Sequence, residues 1–365
     1  MKKSSIKILA GITSILVMCI IIFSPALISK SKASINLNSY ELSEKKLVVP
    51  VNYKGKWGFI NKDGKWAIKP KFSAVGKFSE ELACVQYENK YGYINIKGDW
   101  VIEPSYDSAF SFSEGLALVI INDKYGYIDK TGAMVIESKF TETFLGNFSE
   151  GIAVVCVNGK WGCIDKSGNL IIEAKFNDIG NYSRNFEVVK FSDGLIPAYY
   201  NFKWGYLNNK GKFIIEPVFE DAQNFSEGLA FVKVNNKWGI IGNNGKFLVE
   251  PKFDDVVDFS EGLAAVKVKN LWGIINAKGE MVIEPKFEVS PFFSLKYSEG
   301  LAVMENNDKW GYVDYKGNWV INPTYDSASN FSQGMAAVKI DNKWGFINRE
   351  GEFVIKPKFE NVFDF

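Results

Sequence analysis

The chain has 365 residues, 43 Lys+Arg against 42 Asp+Glu and a formal net charge of +1. It has no histidine, which excludes every His-dependent triad, the usual general base at neutral pH and the commonest metal ligand. Charged residues of both signs make up 23% and aromatics 15%, the balance of a soluble globular protein built from short strands.

Residues 1–33 differ in kind from the rest. A basic start, Met1-Lys2-Lys3-Ser4-Ser5-Ile6-Lys7, precedes an uncharged and mostly apolar run over residues 8–28. Ser31-Lys32-Ala33 then offers a small-x-small cleavage site. The segment reads as an export signal cleaved after about Ala33. An uncleaved N-terminal membrane anchor is the alternative, because the apolar run of 21 residues is long enough to span a bilayer. Cleavage would leave 38 basic against 42 acidic residues, a net charge of about −4. A weakly acidic protein lacks the basic face that nucleic acid requires, so no nucleic-acid partner is expected. Residues 34–46 read as a polar linker.

From residue 47 onward one pattern organises the chain. Aromatic-Gly pairs begin at Trp57, Tyr91, Tyr125, Trp161, Trp204, Trp238, Trp272, Trp310 and Trp344, in steps of 34, 34, 36, 43, 34, 34, 38 and 34 residues. A fixed period in this range signals a repeat architecture. Before each pair lies a two-residue turn rich in Asn, Asp and Gly, such as Asn122-Asp123, as a type I′ hairpin demands; Asn201-Phe202 fits least well. Seven residues after each aromatic comes a glycine: Gly64, Gly98, Gly132, Gly168, Gly211, Gly245, Gly279, Gly317 and Gly351. That regularity predicts a turn closed by a left-handed Gly with a bulge. Each unit is therefore a three-stranded antiparallel meander. Glu-Pro or a variant follows, as at Glu103-Pro104, where the third strand is expected to stop or to lie at a sheet edge. A second aromatic and the motif Phe-Ser-Glu-Gly then lead into the next unit, as at Phe112 to Gly115.

The pattern resembles the bacterial WG-repeat family, over about residues 42–365. The resemblance implies an exported or surface-associated repeat protein with no established common activity. Physically, each unit is too small to bury its apolar face alone and must pack on its neighbours. The fold class expected is all-β: about nine three-stranded meanders, or four-stranded ones with a very short last strand, closed into a β-propeller-like ring. The repeat region starts and stops at matching points of the unit, near Leu42 and at Phe365, which favours closure. An open superhelical stack is the alternative.

The repeated Trp reads as a core anchor beside a Gly that admits a neighbouring backbone; a sugar-stacking platform is the sharper alternative. The repeated acids Glu80, Glu114, Glu150, Glu227, Glu261 and Glu299 read as solvated turn residues or as partners of the Lys before each Trp; a cation-binding carboxylate ring is the alternative. Glycoside hydrolysis needs two carboxylates in distinct settings, and every prominent acid here has equivalents. Cys156 and Cys163 fall diagonally on one hairpin, with Cys156 opposite Trp161, so a disulfide fits only with adjustment. Cys84 reads as a small core residue. No catalytic residue, metal site or cofactor is expected.

The departures from the period carry the binding signal. The long step after Trp161 contains Tyr182, Arg184 and Phe186, and that after Trp272 contains Phe292 and Phe293. Insertions into repeats often map to a binding face. The functional expectation is a non-catalytic scaffold, extracellular or at the cell surface, that binds a protein or a cell-wall glycan. A propeller-type glycan hydrolase and a purely structural surface protein are the alternatives.

Overall fold

The computed structural model describes residues 48–140, 146–180, 190–287 and 296–364, without the side chains of 138–140. Residues 46–365 form one compact unit. The described residues make nine small antiparallel sheets, eight of four strands and one of three, arranged as a nine-bladed β-propeller. They contain no helix long and apolar enough to cross a membrane; the run over residues 8–28 lies outside them.

Blade 1 shows how the sequence dictates the unit. Its long strands are Val48–Tyr53, Lys56–Asn61 and Trp66–Phe72. Lys54 and Gly55 between the first two have φ of 55° and 75°, a type I′ turn whose twist matches the strands. All nine hairpins share this conformation, including Asn201 at 49° and Phe202 at 63°. Between the second and third strands, Gly64 adopts φ 73° and its N–H donates to the Asn61 carbonyl. The Asn61 side-chain oxygen accepts from the N–H groups of Asp63 and Lys65, pinning the loop.

The third strand carries a bulge. Trp57 pairs with Phe72, but Phe59 pairs with Ile68, so two residues on one strand face four on the other. The bulged backbone folds over Gly58. A Cβ there would lie 2.6 Å from the Ile68 carbonyl oxygen and 2.7 Å from Pro70 N, so only glycine fits. Pro70 occupies the bulge, where its missing N–H costs no ladder bond. The strand therefore does not stop at proline, as one reading of the sequence had it; it bulges and runs on to Phe72 at the sheet edge.

The meander gains a fourth strand of two residues. Only Ser73 separates Phe72 from Ala74–Val75, which pairs with Ala83–Tyr87 of blade 2. In this way, among the described residues, seven of the nine sheets receive a short strand directly from the preceding unit. Two consecutive positive φ values, 51° at Glu80 and 74° at Glu81, then reverse the chain in a second tight hairpin between Ser79 and Leu82.

The core lies between neighbouring sheets. Tyr93, Ile102 and Tyr106 of blade 2 pack with Ala117, Val119 and Ile128 of blade 3. The same arrangement crosses the junction of the ends: Ala337, Phe346, Ile355 and Phe359 of blade 9 pack with Val49, Val51 and Ile60 of blade 1. Each such aromatic or aliphatic side chain, fully buried, contributes about 1.5–3 kcal/mol. The strand Asn361–Val362 pairs with Val48–Tyr53, and Ile355 lies under Gly64 as Ile68 lies under Gly98. The ring is closed, and the open stack is excluded. Phe365 and residues 42–45, whose matching phase suggested closure, lie outside the described residues.

Candidate functional site

The repeated groups that could do chemistry are engaged in holding the ring. Trp204, Trp238 and Trp272 are buried and the other six aromatics of the aromatic-Gly pairs are half-buried, each opposite the downstream aromatic of its own sheet. They are core anchors. Tyr91 and Tyr125 occupy the same register as the tryptophans. The tyrosines two residues beyond donate their hydroxyls to backbone carbonyls: Tyr93 to Phe110 at 2.8 Å, Tyr127 to Gly146 at 2.7 Å and Tyr206 to Gln223 at 2.8 Å. Burial raises the pKa of all three.

The Phe-Ser-Glu-Gly turns form a belt. Ser79 Oγ donates to the Phe112 carbonyl at 2.7 Å, and Ser113 Oγ to Phe148 at 2.7 Å. The Glu114 carboxylate accepts from Gly151 N–H at 2.9 Å, and Glu227 from Gly262 at 2.8 Å. Lys130 and Lys166 pair with Glu80 and Glu114 at 3.1 and 3.2 Å. Partial burial would raise the Glu261 carboxyl, but the N–H groups of Gly300 and Glu299 and the Tyr315 hydroxyl outweigh it and hold the pKa low. These acids link one blade to the next. They do not meet the Lys before each Trp, as the sequence suggested. Those lysines reach the residue after the downstream aromatic instead: Lys309 meets Asp326 at 2.6 Å and Lys343 meets Glu360 at 3.4 Å.

Asp193 takes the Glu position in blade 5, accepting from Gly228 N–H at 2.9 Å. Sequence reasoning missed it, although Phe191-Ser192-Asp193-Gly194 is a legible variant of the motif. Cys84 and Cys163 are buried free thiols, and Cys156 is buried. Cys156 does pair with Trp161, and Cys163 with Val154. Burial pushes the Cys84 thiol up to about 11 and Cys163 up to about 12, so both stay protonated and unreactive at neutral pH. Among the described residues no cluster of three or more Cys, Asp and Glu side chains gathers for a metal ion. Tyr182, Arg184, Phe186, Phe292 and Phe293 lie outside the described residues.

One position breaks the repeat where blades 7 and 8 meet. The residue just before each type I′ turn is Tyr53, Tyr87, Ile121, Val157, Tyr200, Val234, Val268, Asn306 and Ile340 in turn. Eight are large and apolar, and several of them pack with the downstream aromatic of the preceding blade, as Ile121 does with Tyr106 and Val268 with Phe253. Tyr53 meets Phe359 with ring centroids 6.5 Å apart, and Tyr200 meets Phe176 at 5.7 Å. Asn306 is polar and exposed. The aromatic it should cover, Phe287, is half-buried, whereas Phe72, Phe253 and Phe359 are fully buried.

The missing plug leaves a cavity of about 400 Å³, lined by Lys286, Phe287, Glu305, Asn306, Asn307, Gly317 and Trp319. Two aromatic rings form its apolar wall. Two amides, a carboxylate and an ammonium surround them. Phe287 is the last described residue before the second insertion. The signal was present in the sequence: Asn306 is the only residue at its position without an apolar side chain. It was hidden because the register that aligns these nine positions becomes visible only once the hairpins are placed.

Solved structures resemble the chain at low identity. A eukaryotic initiation factor matches with a TM-score of 0.57 and 11% identity, over 87% of this chain and 98% of that one. Hsv2 of Kluyvelomyces marxianus matches at 0.40 and 9%, over 78% and 96%. Hsv2p of Kluyveromyces lactis matches at 0.37 and 10%, over 80% and 98%. At these identities the likeness is one of fold, and it rests on the first. No curated protein matches in sequence. The WG containing repeat, as a family model, matches nine segments in succession: 57–91, 91–125, 125–161, 161–195, 204–238, 238–272, 272–310, 310–344 and 344–365. Because those matches fall on the Trp-Gly hairpins that build every blade, the chain belongs to the WG containing repeat family.

Proposed function

We propose that the protein is a non-catalytic binding scaffold, exported to the cell surface, and that it takes a glycan in the cavity between blades 7 and 8. The observation that carries this is the replacement of an apolar plug by Asn306, which opens the cavity beside Phe287 and Trp319. Its volume suits a small ligand. Aromatic faces offer apolar contact to the C–H face of a sugar ring. Asn306, Asn307 and Glu305 offer amide and carboxylate partners for its hydroxyls. The described lining carries one carboxylate, Glu305, where glycosidic cleavage calls for two in different settings, so binding is favoured over hydrolysis. The apolar leader supports export.

The test restores the plug. In Asn306→Val the ring should fold and melt at or above the parent temperature, because Val234 and Val268 fill this position elsewhere. Retention on cell-wall glycan should fall at least tenfold. Retention of binding by the plugged variant would remove the cavity from the function. Trp319→Ala should weaken binding by about 1–3 kcal/mol if the ring stacks on the ligand.

A further inference from the structure

The outward face of the third long strand, at each sheet edge, carries a charge signature that changes once around the ring. On blades 2 to 7 its first charged position is Glu103, Glu137, Glu173, Glu216, Glu250 and Glu284, and on blade 8 it is Asn322. The position two residues on holds Ser, Lys, Lys, Val, Lys, Lys and Thr on the same seven strands, so none has a net positive charge there. Blade 1 has Lys69 and Lys71, and blade 9 has Lys356 and Lys358. All four are exposed.

In sequence these pairs are far apart. Ring closure makes them neighbours: Trp66, on the strand of Lys69, lies with its ring 6.1 Å from that of Phe359, on the strand of Lys356. Lys71 and Lys358 lie over the rings of Phe72 and Phe359 at 5.0 and 5.1 Å, which leaves their charge toward solvent. The seam thus carries four positive charges at strand positions that are neutral or acidic in sum on the other seven blades.

The patch sits where the chain enters the ring. Val48–Tyr53 is two strands from Trp66–Phe72 in the same sheet, on the order of 10 Å. Residues 29–47 separate the apolar run 8–28 from that strand, a tether of at most about 65 Å. Were the leader retained in a bilayer, a tether of that length would let the ring reach the lipid surface.

We propose that the seam of blades 1 and 9 is a docking face for an anionic lipid surface, so that the ring stands edge-on to the membrane with the cavity of blades 7 and 8 left accessible. Each lysine near an anionic surface favours binding by about fivefold, and salt weakens the attraction. This inference shares the proposal of export with the preceding section but not its ligand.

The test uses the ring, residues 46–365, which contains all the described cores and its own closing strand. It is sedimented with vesicles of phosphatidylglycerol or of phosphatidylcholine. The comparison variant, Lys69→Glu with Lys356→Glu, introduces the residue that six other blades carry, so the fold is preserved; a thermal melt checks this. Binding to phosphatidylglycerol alone, falling with added salt and reduced at least tenfold in the variant, is the expected result. Lys252→Glu, a charge reversal on the third long strand of blade 6 and so away from the seam, should leave it unchanged. Equal binding to both vesicles, no binding to either, or full binding by the variant would overturn the proposal. Capture by soluble polyglutamate without capture by vesicles would also overturn it, by assigning the patch to a polymer.

Discussion

Glycine and asparagine decide most at the scale of single residues. The Gly of each Trp-Gly pair is fixed by the bulge folded over it, where a carbonyl oxygen and a backbone nitrogen approach within 2.5–2.9 Å of any added Cβ. Gly58→Ala should cost about 2–4 kcal/mol, seen as a lower urea midpoint, because the obstacle is backbone and cannot rotate away. A cost below about 1 kcal/mol would show that the bulge relaxes. Phe202 is the opposite case. It sits at φ 63° with 86% of its surface exposed, so it meets left-handed strain without burial in return. Phe202→Asn should stabilise the protein by about 0.5–1 kcal/mol at unchanged m-value.

The elements divide into those readable from local pattern and those that needed partners. The type I′ hairpins were readable because Asn, Asp and Gly tolerate positive φ for reasons internal to the residue. The Glu of Phe-Ser-Glu-Gly is an exposed or half-buried turn acid, as one reading of the sequence had it, but its partner is not the Lys before each Trp. It holds a left-handed conformation at a hairpin, φ 52° for Glu114, and its carboxylate bonds the next blade's turn. That partner lies 37 residues away, and nothing in the local sequence points to it. The two-residue strands were legible only as an option, a very short last strand in each unit, for the same reason. Ala74–Val75 is too short to show an alternating pattern and exists only because blade 2 offers it an edge. The candidate site shares this character. Tyr182, Arg184, Phe186, Phe292 and Phe293 were chosen because insertions stand out in a period, whereas the Asn306 cavity, at the start of the second insertion, involves one exchanged side chain in a hairpin of ordinary length.

For the molecule as a whole, closure and titration make separate predictions. Removing residues 360–365 deletes the strand on Val48–Tyr53 and the Glu360 carboxylate that accepts from Gly55 N–H at 3.0 Å. The melting temperature should fall by on the order of 5 °C, and amide exchange should rise first at Val51 and Asn52. An unchanged melt would mean that packing between blades 9 and 1 closes the ring unaided. With no histidine, stability should be level from about pH 5 to 8. The Lys90 ammonium, with the Asn122 N–H, holds Asp107 below its ordinary value of 3.8; Lys237 and Lys309 do the same for Asp254 and Asp326. Depressed carboxyls stabilise above their unfolded pKa, so stability should drop as pH falls through and below 4. The raised thiols act in the other direction: their contribution is complete below the ordinary value of 9.0 and is lost as pH rises toward 11 to 12. A urea titration across pH 3–11.5 tests both arms.

The sequence by itself determined the unit, its hairpins, its turn glycines and the number of repeats, because each rests on backbone preferences and on a period of about 34 residues. The tertiary structure decided whether the array closes, which acid meets which amide, where Asn306 leaves a hole and which lysines become neighbours. Those outcomes depend on contacts across a blade boundary or across the whole chain, such as Lys62 Nζ donating to the Gln333 carbonyl at 3.1 Å. A repeat specifies its own conformation locally, but it meets its neighbours only after the ring has placed them.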